Sequence, residues 1–218
     1  MNLQSQEQEF IKEKDMTRKA YNLLNVGVGG QGVISVTQIL AWAAMKDNYQ
    51  VRTAETHGMA QRGGSVSSFL RFGENVEGPL IPKGLTDIIL AFETSEALRY
   101  ADYAGPNTYI FINKKFILPP GLNKNKVKYP ETEEIINYLK KITNDVYLID
   151  ATNLAIKAGN PRTLNVVMLG VIYGFKILPI KRTSLEYSIS QFVPTKAKEV
   201  NQVAFKLGIK EGESLGGM

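Results

Sequence analysis

A glycine-rich turn between a predicted strand and a predicted helix constrains this chain more than any other feature. Residues 27–32 read GVGGQG, with glycines at the spacing G-x-G-x-x-G. The apolar run at residues 21–26 predicts a buried strand, and apolar residues at helical spacing over 33–44 predict a helix. Because a turn of this kind leaves the N–H groups of a helix N-terminus free, it predicts an α/β fold with a site for an anion.

A second glycine-rich stretch follows at residues 55–66, which read ETHGMAQRGGSV. The two stretches are predicted at the ends of the first two strands, and open α/β sheets bind ligands at the carboxyl ends of their strands. We therefore predict one functional edge there. Its candidate substrate, cofactor or partner contacts are Gly29, Gly30, Gln31, Gly32, Glu55, His57, Gln61, Arg62, Gly63 and Gly64.

The residues alone leave the roles of these side chains open. His57, the single histidine, could orient a carboxylate or donate to an oxyanion, or it could only shape the loop. The guanidinium of Arg62 could bind a carboxylate or phosphate with paired hydrogen bonds, or form a salt bridge between subunits. The Gln31 amide could reach a ligand or a partner. His57 is the one catalytic candidate, and no metal ligand is predicted.

The glycine spacing by itself fits two explanations. One is NAD or FAD binding, for which the fingerprint needs an acid about 20 residues further on. Glu55, after the strand predicted at 49–54, meets that need. The other explanation is that the glycines only allow strand, helix and a neighbouring subunit to pack closely.

Four segments taken together resemble one family. They read GVGGQGVISVTQILAWAA, ETHGMAQRGGSVSSFLRFGE, PLIPKGLTDIILAFETSEALR and AGNPRTLNVVMLG. They are similar to the gamma domain of 2-oxoacid:ferredoxin oxidoreductases, and in particular to the beta subunit of indolepyruvate ferredoxin oxidoreductase. The resemblance implies a domain over residues 21–208. The low-complexity ends outside it are predicted to be a flexible N-terminal extension at 1–20 and a flexible tail at 209–218.

This resemblance implies a subunit that is inactive alone. In the family, an arylpyruvate such as indolepyruvate is decarboxylated on thiamine pyrophosphate, coenzyme A takes the acyl group, and iron–sulfur clusters pass electrons to ferredoxin. Thiamine pyrophosphate, magnesium and the clusters are expected on a larger partner chain, and no cofactor on this one. The loop at 55–64 and the turn at 29–32 are expected to face that partner and to shape a passage for substrate or coenzyme A. A stand-alone NAD- or flavin-dependent oxidoreductase and a purely structural subunit remain as alternatives.

Composition narrows the function classes. The 218 residues include no cysteine, which excludes thiolate-ligated clusters on this chain, and one histidine excludes a multi-histidine metal site. No apolar run approaches the roughly 18 residues that cross a membrane, and the first residues lack an apolar signal region. We therefore expect a cytoplasmic protein. The net charge of +5 comes with no nucleic-acid-binding motif, so neither a nucleic acid nor a membrane is expected as partner.

The remaining pattern predicts a Rossmann-like doubly wound sheet with flanking helices and a helical C-terminal part. Thr132 is predicted as a helix N-cap, and Thr183 with Glu186 as a capping box. Pro194 is predicted to start the last helix and Gly208 to end it. Strands are predicted at residues 21–26, 49–54, 65–71, 87–92, 109–113 and 146–149.

Overall fold

The computed structural model describes residues 20–57, 63–117 and 130–217, which form a six-stranded sheet with helices on both faces. The predicted N-terminal extension lies outside these residues, apart from Ala20. The strands are β1 (Ala20–Val28), β2 (Gln50–His57), β3 (Ser65–Gly73), β4 (Thr86–Ala91), β5 (Ala104–Asn113) and β6 (Val146–Ile149). The helices are α1 (Val33–Lys46), α2 (Thr94–Arg99), α3 (Thr132–Leu139), α4 (Ala151–Lys157), α5 (Leu164–Gly174), α6 (Arg182–Phe192) and α7 (Lys198–Gly216).

The predicted Rossmann-like α/β sheet is confirmed, with one strand reversed. The strand order is β2-β3-β1-β4-β5-β6. The pairs β1-β4, β4-β5 and β5-β6 are parallel. Strand β3 pairs antiparallel with both β1 and β2. The short connection between β2 and β3 explains the reversal, because a parallel pair needs a crossover of about a dozen residues or more.

The core is divided by the sheet into two layers. Leu23 of β1 packs with Leu40 of α1 and Val167 of α5 on one face. Leu24, the next residue, packs with Ile89 and the buried side of α3 on the other face. Both leucines are fully buried. Successive side chains of a strand point to opposite faces, so an apolar residue at every position indicates that helices cover the sheet on both sides.

Helices α5 and α7 pack backbone to backbone along a stripe of glycines. Gly170 and Gly174 lie on α5, and Gly208 and Gly212 lie on α7. A Cβ atom added to any of the four would lie 2.1–2.4 Å from a backbone oxygen of the other helix. The close approach of these helices therefore depends on the absence of a side chain at each position.

The prediction that Gly208 ends the last helix is wrong. Helix α7 continues to Gly216, because Gly208 admits the neighbouring helix and does not break its own. The segment predicted as a flexible tail, 209–218, is thus helical through Gly216, and Ile209 is buried in the core. Pro194 precedes a short 3-10 turn, Thr195–Ala197, and α7 itself begins at Lys198.

Two predicted helix caps are also corrected. The N-cap of α3 is Glu131 and not Thr132. The Glu134 side chain accepts a hydrogen bond from the backbone N–H of Glu131 at 2.9 Å. Thr183 lies inside α6, where no side chain caps the helix. Glu186 accepts a hydrogen bond from Arg182 Nε at 2.8 Å, so the acid is used in a pair one helical turn apart.

An aromatic cluster closes the β6 end of the sheet. Tyr147 stacks on Phe111 with 5.2 Å between ring centroids, and its hydroxyl donates to Asp145 Oδ1 at 3.0 Å. Burial, followed by this hydrogen bond and the negative charge of Asp145, raises the pKa of Tyr147 to about 12. The cause is that both the apolar surroundings and the carboxylate disfavour the phenolate.

Within the described residues, no helix is long and apolar enough to span a bilayer.

The glycine contact between α5 and α7 gives a stability prediction. Gly208→Ala lowers the free energy of unfolding by about 1–3 kcal/mol, the range for overpacking a core, because its Cβ would lie 2.1 Å from the Val167 carbonyl oxygen. Gly216→Ala on the same helix is the matched control, since its Cβ would meet Phe175 only at 3.6 Å. Urea denaturation of both variants measures the difference. Equal losses at the two positions would contradict the proposed cause.

Candidate functional site

The two glycine-rich stretches lie side by side at the carboxyl edge, the edge of the sheet where β1, β2, β4, β5 and β6 end. Strand β3 runs the other way, so it begins at this edge. Val28 at the end of β1 pairs with Ser65 at the start of β3. One residue further on, Gly29 N–H donates to the Gly64 carbonyl oxygen at 2.9 Å. The reversed strand therefore brings the second stretch onto the first.

The turn after β1 needs glycine at two positions for different reasons. Gly30 and Gly32 have φ angles of +99° and +81°, a region that residues with a Cβ rarely adopt. A Cβ at Gly30 would meet no described atom within 4 Å, so its positive φ and not close packing is what requires a glycine there. A Cβ at Gly32 would lie 2.7 Å from Asn165 Nδ2, so this glycine lets α5 approach the turn. In the second stretch, Gly63 also has a positive φ, of +79°.

The N-terminus of α1 is the part of the turn for which the sequence predicts an anion site. Its N-cap is Gly32, no side chain of the described residues caps it, and its first turn contains no acid. The N–H groups of the first turn have no carbonyl partner inside the helix, and they carry its partial positive charge. This end of α1 is therefore electrostatically suited to an anionic group.

The Gln31 side chain makes internal hydrogen bonds with both ends of its amide. Its Oε1 accepts from Val28 N–H at 2.7 Å, and its Nε2 donates to the Phe92 carbonyl oxygen at 2.9 Å. Phe92 follows β4 directly. The amide therefore joins the ends of β1 and β4, which favours a structural role over the ligand or partner contact that the sequence suggested.

The same carbonyl connects the edge to β5 and α4. Asn113, the last residue of β5, donates from Nδ2 to the Phe92 oxygen at 3.1 Å. Its Oδ1 accepts from Thr152 N–H of α4 at 3.2 Å. Asn113 is fully buried. Sequence analysis missed this residue, although an asparagine directly after the apolar run 109–112 was the available signal.

Two acids on the segment after β4 were also missed as buried groups. Glu93 is fully buried and is the N-cap of α2, where its Oε2 accepts from Ser95 N–H at 2.8 Å and from Glu96 N–H at 3.0 Å. Its Oε1 accepts from Ile117 N–H at 3.2 Å. Glu96 is 4% exposed. The letters AFETSE carry the signal, since an acid directly after a buried strand is placed to cap the next helix.

The remaining predicted site residues lie on or beyond β2. Glu55 is exposed on this strand and pairs with Ser68 of β3. His57 ends β2 and pairs with Val66; its side chain lies outside the described residues, as do Gln61 and Arg62 entirely. In the described part of the chain, no group of three or more histidine, aspartate or glutamate side chains could hold a metal ion.

The strand order bears on the dinucleotide explanation of the glycines. In that fold the acid lies on the strand next to β1. Here β3 lies between β1 and β2. Glu55 is on β2, so it is not on a strand next to β1, the strand that leads into the glycine turn. The topology therefore argues against Glu55 as the partner of a ribose bound at this turn.

Comparison with known proteins agrees on one family. Residues 22–211 match the family described as pyruvate ferredoxin/flavodoxin oxidoreductase. The chain is 42% identical over 193 residues to indolepyruvate oxidoreductase subunit IorB of Archaeoglobus fulgidus, with 88% of this chain and 96% of the relative covered. It is 41% identical over 198 residues to subunit IorB of Pyrococcus horikoshii, with 90% and 98% covered. The gamma subunit of a keto/oxoacid ferredoxin oxidoreductase from Geobacter sulfurreducens shares the fold, with TM-score 0.66, 21% identity, and 89% and 99% covered.

The hydrogen bonds of Gln31 predict that its removal weakens the fold of the free chain. Gln31→Ala lowers the free energy of unfolding by about 1–3 kcal/mol, because the buried Val28 N–H loses its side-chain acceptor and the Phe92 carbonyl loses one of its two donors. Gln202→Ala, at an exposed glutamine of α7, is the control and changes stability by less than about 0.5 kcal/mol. Chemical denaturation measures both. Wild-type stability of Gln31→Ala would contradict the structural role.

Proposed function

Because this chain belongs to the pyruvate ferredoxin/flavodoxin oxidoreductase family, we propose that it is the small subunit of an indolepyruvate:ferredoxin oxidoreductase. The complex acts on indolepyruvate or another arylpyruvate. The observation that carries this proposal is the near-full-length similarity to subunits with that name, at 42% and 41% identity.

The proposed reaction is an oxidative decarboxylation. The bond between the carboxylate and the carbonyl carbon of the 2-oxoacid breaks, and carbon dioxide leaves. The carbonyl carbon becomes the thioester carbon of acyl-coenzyme A, and the thiol proton is released. Ferredoxin accepts the electron pair, one electron at a time.

The cofactors of this reaction, for decarboxylation and for electron transfer, are assigned to a larger partner chain. Iron–sulfur clusters need cysteine thiolates as ligands, and this sequence has none, so the clusters that serve ferredoxin belong to the partner. We place thiamine pyrophosphate and its magnesium there as well, which makes the protein one component of a hetero-oligomer. When bound, thiamine pyrophosphate supplies the carbanion-stabilising chemistry of decarboxylation.

This chain is proposed to cap the partner's active site with its carboxyl edge. The uncapped N-terminus of α1 suits a carboxylate or phosphate, which arylpyruvates and coenzyme A both carry. Lys114 and Lys115 follow β5 at the same edge and are exposed, so they add positive charge there.

The loop at 55–64 is the proposed source of side-chain contacts. Arg62 is proposed to bind the anionic group with paired hydrogen bonds, Gln61 to line the passage beside it, and His57 to orient the oxoacid. The glycines Gly63 and Gly64 support this loop at its connection to β3. No residue of this chain is proposed to react covalently.

Reconstitution tests the division of labour. The isolated chain is expected to show no oxidation of any 2-oxoacid. Together with a larger cluster-bearing chain, it gives dye reduction that depends on both arylpyruvate and coenzyme A. Comparing indolepyruvate, phenylpyruvate and pyruvate as substrates identifies the oxoacid class. Activity of the isolated chain would overturn the proposal, and so would a complex that reduces dye only with pyruvate.

A substitution at Arg62 tests the proposed ligand contact. Arg62→Ala reduces kcat/KM of the complex by roughly 10- to 100-fold, as expected for the loss of a hydrogen bond to a charged group, while the melting temperature of the free chain stays the same. Arg52→Ala is the control, because Arg52 is an exposed arginine of β2 whose Nη1 donates to the Val51 carbonyl at 3.0 Å. Wild-type assembly and kinetics in Arg62→Ala would remove this residue from the site.

A further inference from the structure

Glu96 places a buried carboxylate directly behind the second glycine-rich stretch. It lies on α2 and is 4% exposed. Its Oε2 accepts a hydrogen bond from Ser65 Oγ, and its Oε1 accepts from Arg99 Nε at 3.0 Å. Tyr100 Oη lies 3.4 Å from Ser65 Oγ on the same side. A buried carboxylate is tolerated only when its oxygens are paired, and Ser65 and Arg99 satisfy that requirement.

Ser65 connects this carboxylate to the turn that caps the proposed site. It is the first residue of β3, pairs with Val28, and directly follows Gly64. The Gly64 carbonyl accepts from Gly29 N–H at 2.9 Å, and Gln31 N–H donates to the Val28 carbonyl at 3.1 Å. Two N–H groups of the turn are thus held inward.

The alternate N–H groups of the same turn, those of Gly30 and Gly32, have no acceptor within the described residues. The Gly64 carbonyl holds the Gly29 N–H, and Gly64 directly precedes Ser65 in the chain. A displacement of Ser65 would therefore displace the acceptor of the Gly29 N–H.

We infer that Glu96 is a positioning residue, which acts through Ser65 and Gly64 to hold the turn at residues 29–32 in its ligand-facing orientation. This inference rests on the proposed function for its effect on catalysis. A charged acceptor suits the task, because hydrogen bonds to a carboxylate are shorter and stronger than those between neutral groups. A purely local role in α2 does not require Ser65, because Glu93 already caps that helix and Arg99 already pairs with Glu96.

The kinetic test uses the reconstituted complex. Ser65→Ala and Glu96→Gln raise the KM for indolepyruvate or for coenzyme A by roughly 5- to 50-fold, since a small misplacement of a binding group has effects of this size. In both variants kcat stays within about twofold of wild type, because the turn binds and does not react. Ser65→Thr keeps the hydroxyl and restores the KM.

Thr108→Val is the matched structural control. Thr108 is 1% exposed at the opposite edge of the sheet. Its Oγ1 donates to the Thr86 carbonyl at 2.6 Å and accepts from Gly105 N–H at 2.7 Å. Its loss lowers the melting temperature but leaves both KM values unchanged. If Ser65→Ala and Glu96→Gln also lowered only the melting temperature, Glu96 would be a structural residue and the inference would be overturned.

A second measurement tests the link without any activity. Amide hydrogen exchange of Gly29 in the free chain becomes roughly tenfold faster in Ser65→Ala and in Glu96→Gln, because the bond to Gly64 opens more often. In Thr108→Val, the exchange rate of the Gly29 amide changes no more than the rates of the other protected amides. Unchanged Gly29 exchange in the first two variants would overturn the inference. The two claims can fail separately. If the wild-type complex is inactive but Gly29 exchanges faster in both variants, the proposed function is rejected and the positioning role of Glu96 is kept.

Discussion

The structure depends on how the sheet satisfies its backbone at the carboxyl edge, where the ladder of hydrogen bonds ends. The Phe92 carbonyl is the meeting point, because it accepts from both Gln31 Nε2 and Asn113 Nδ2. Buried backbone groups need partners, and here side chains from two other strand ends supply them. These contacts fix the ends of β1, β4 and β5 relative to one another. The exposed part of the glycine turn, at Gly30, takes no part in these contacts.

The reversed strand gives this edge a composition that a purely parallel sheet would not have. Since β3 starts where β1 ends, the connection from β2 arrives beside the turn at 29–32 and not at a distant corner. The proposed ligand-binding groups therefore come from two kinds of source. Backbone N–H groups come from a turn held by the sheet, and side chains come from the connection that precedes Ser65.

Much of this arrangement could be predicted from the sequence. The apolar runs predict the strands, and the comparisons confirm the family that the four segments resemble. The direction of β3 was not predicted, because alternation of side chains is the same for a strand read either way; the short connection from β2 was the available signal. Gly208 was misassigned because a glycine that ends a helix and one that admits another helix look identical until the partner is known. The role of Gln31 depends on Phe92, 61 residues further along the chain. Gln61 and Arg62 stay predictions.

The glycine contact between α5 and α7 has a mechanical consequence for the turn. Where two helices touch through backbone atoms, no side-chain rotamer lies between them to take up a displacement, so at this contact a shift of one helix displaces the other. Asn165 in the first turn of α5 lies against Gly32, which makes α5 a lever between the C-terminal helix and the ligand-facing turn. A force applied to α7, for instance by a docked subunit, would therefore reach the start of α1 without passing through the sheet.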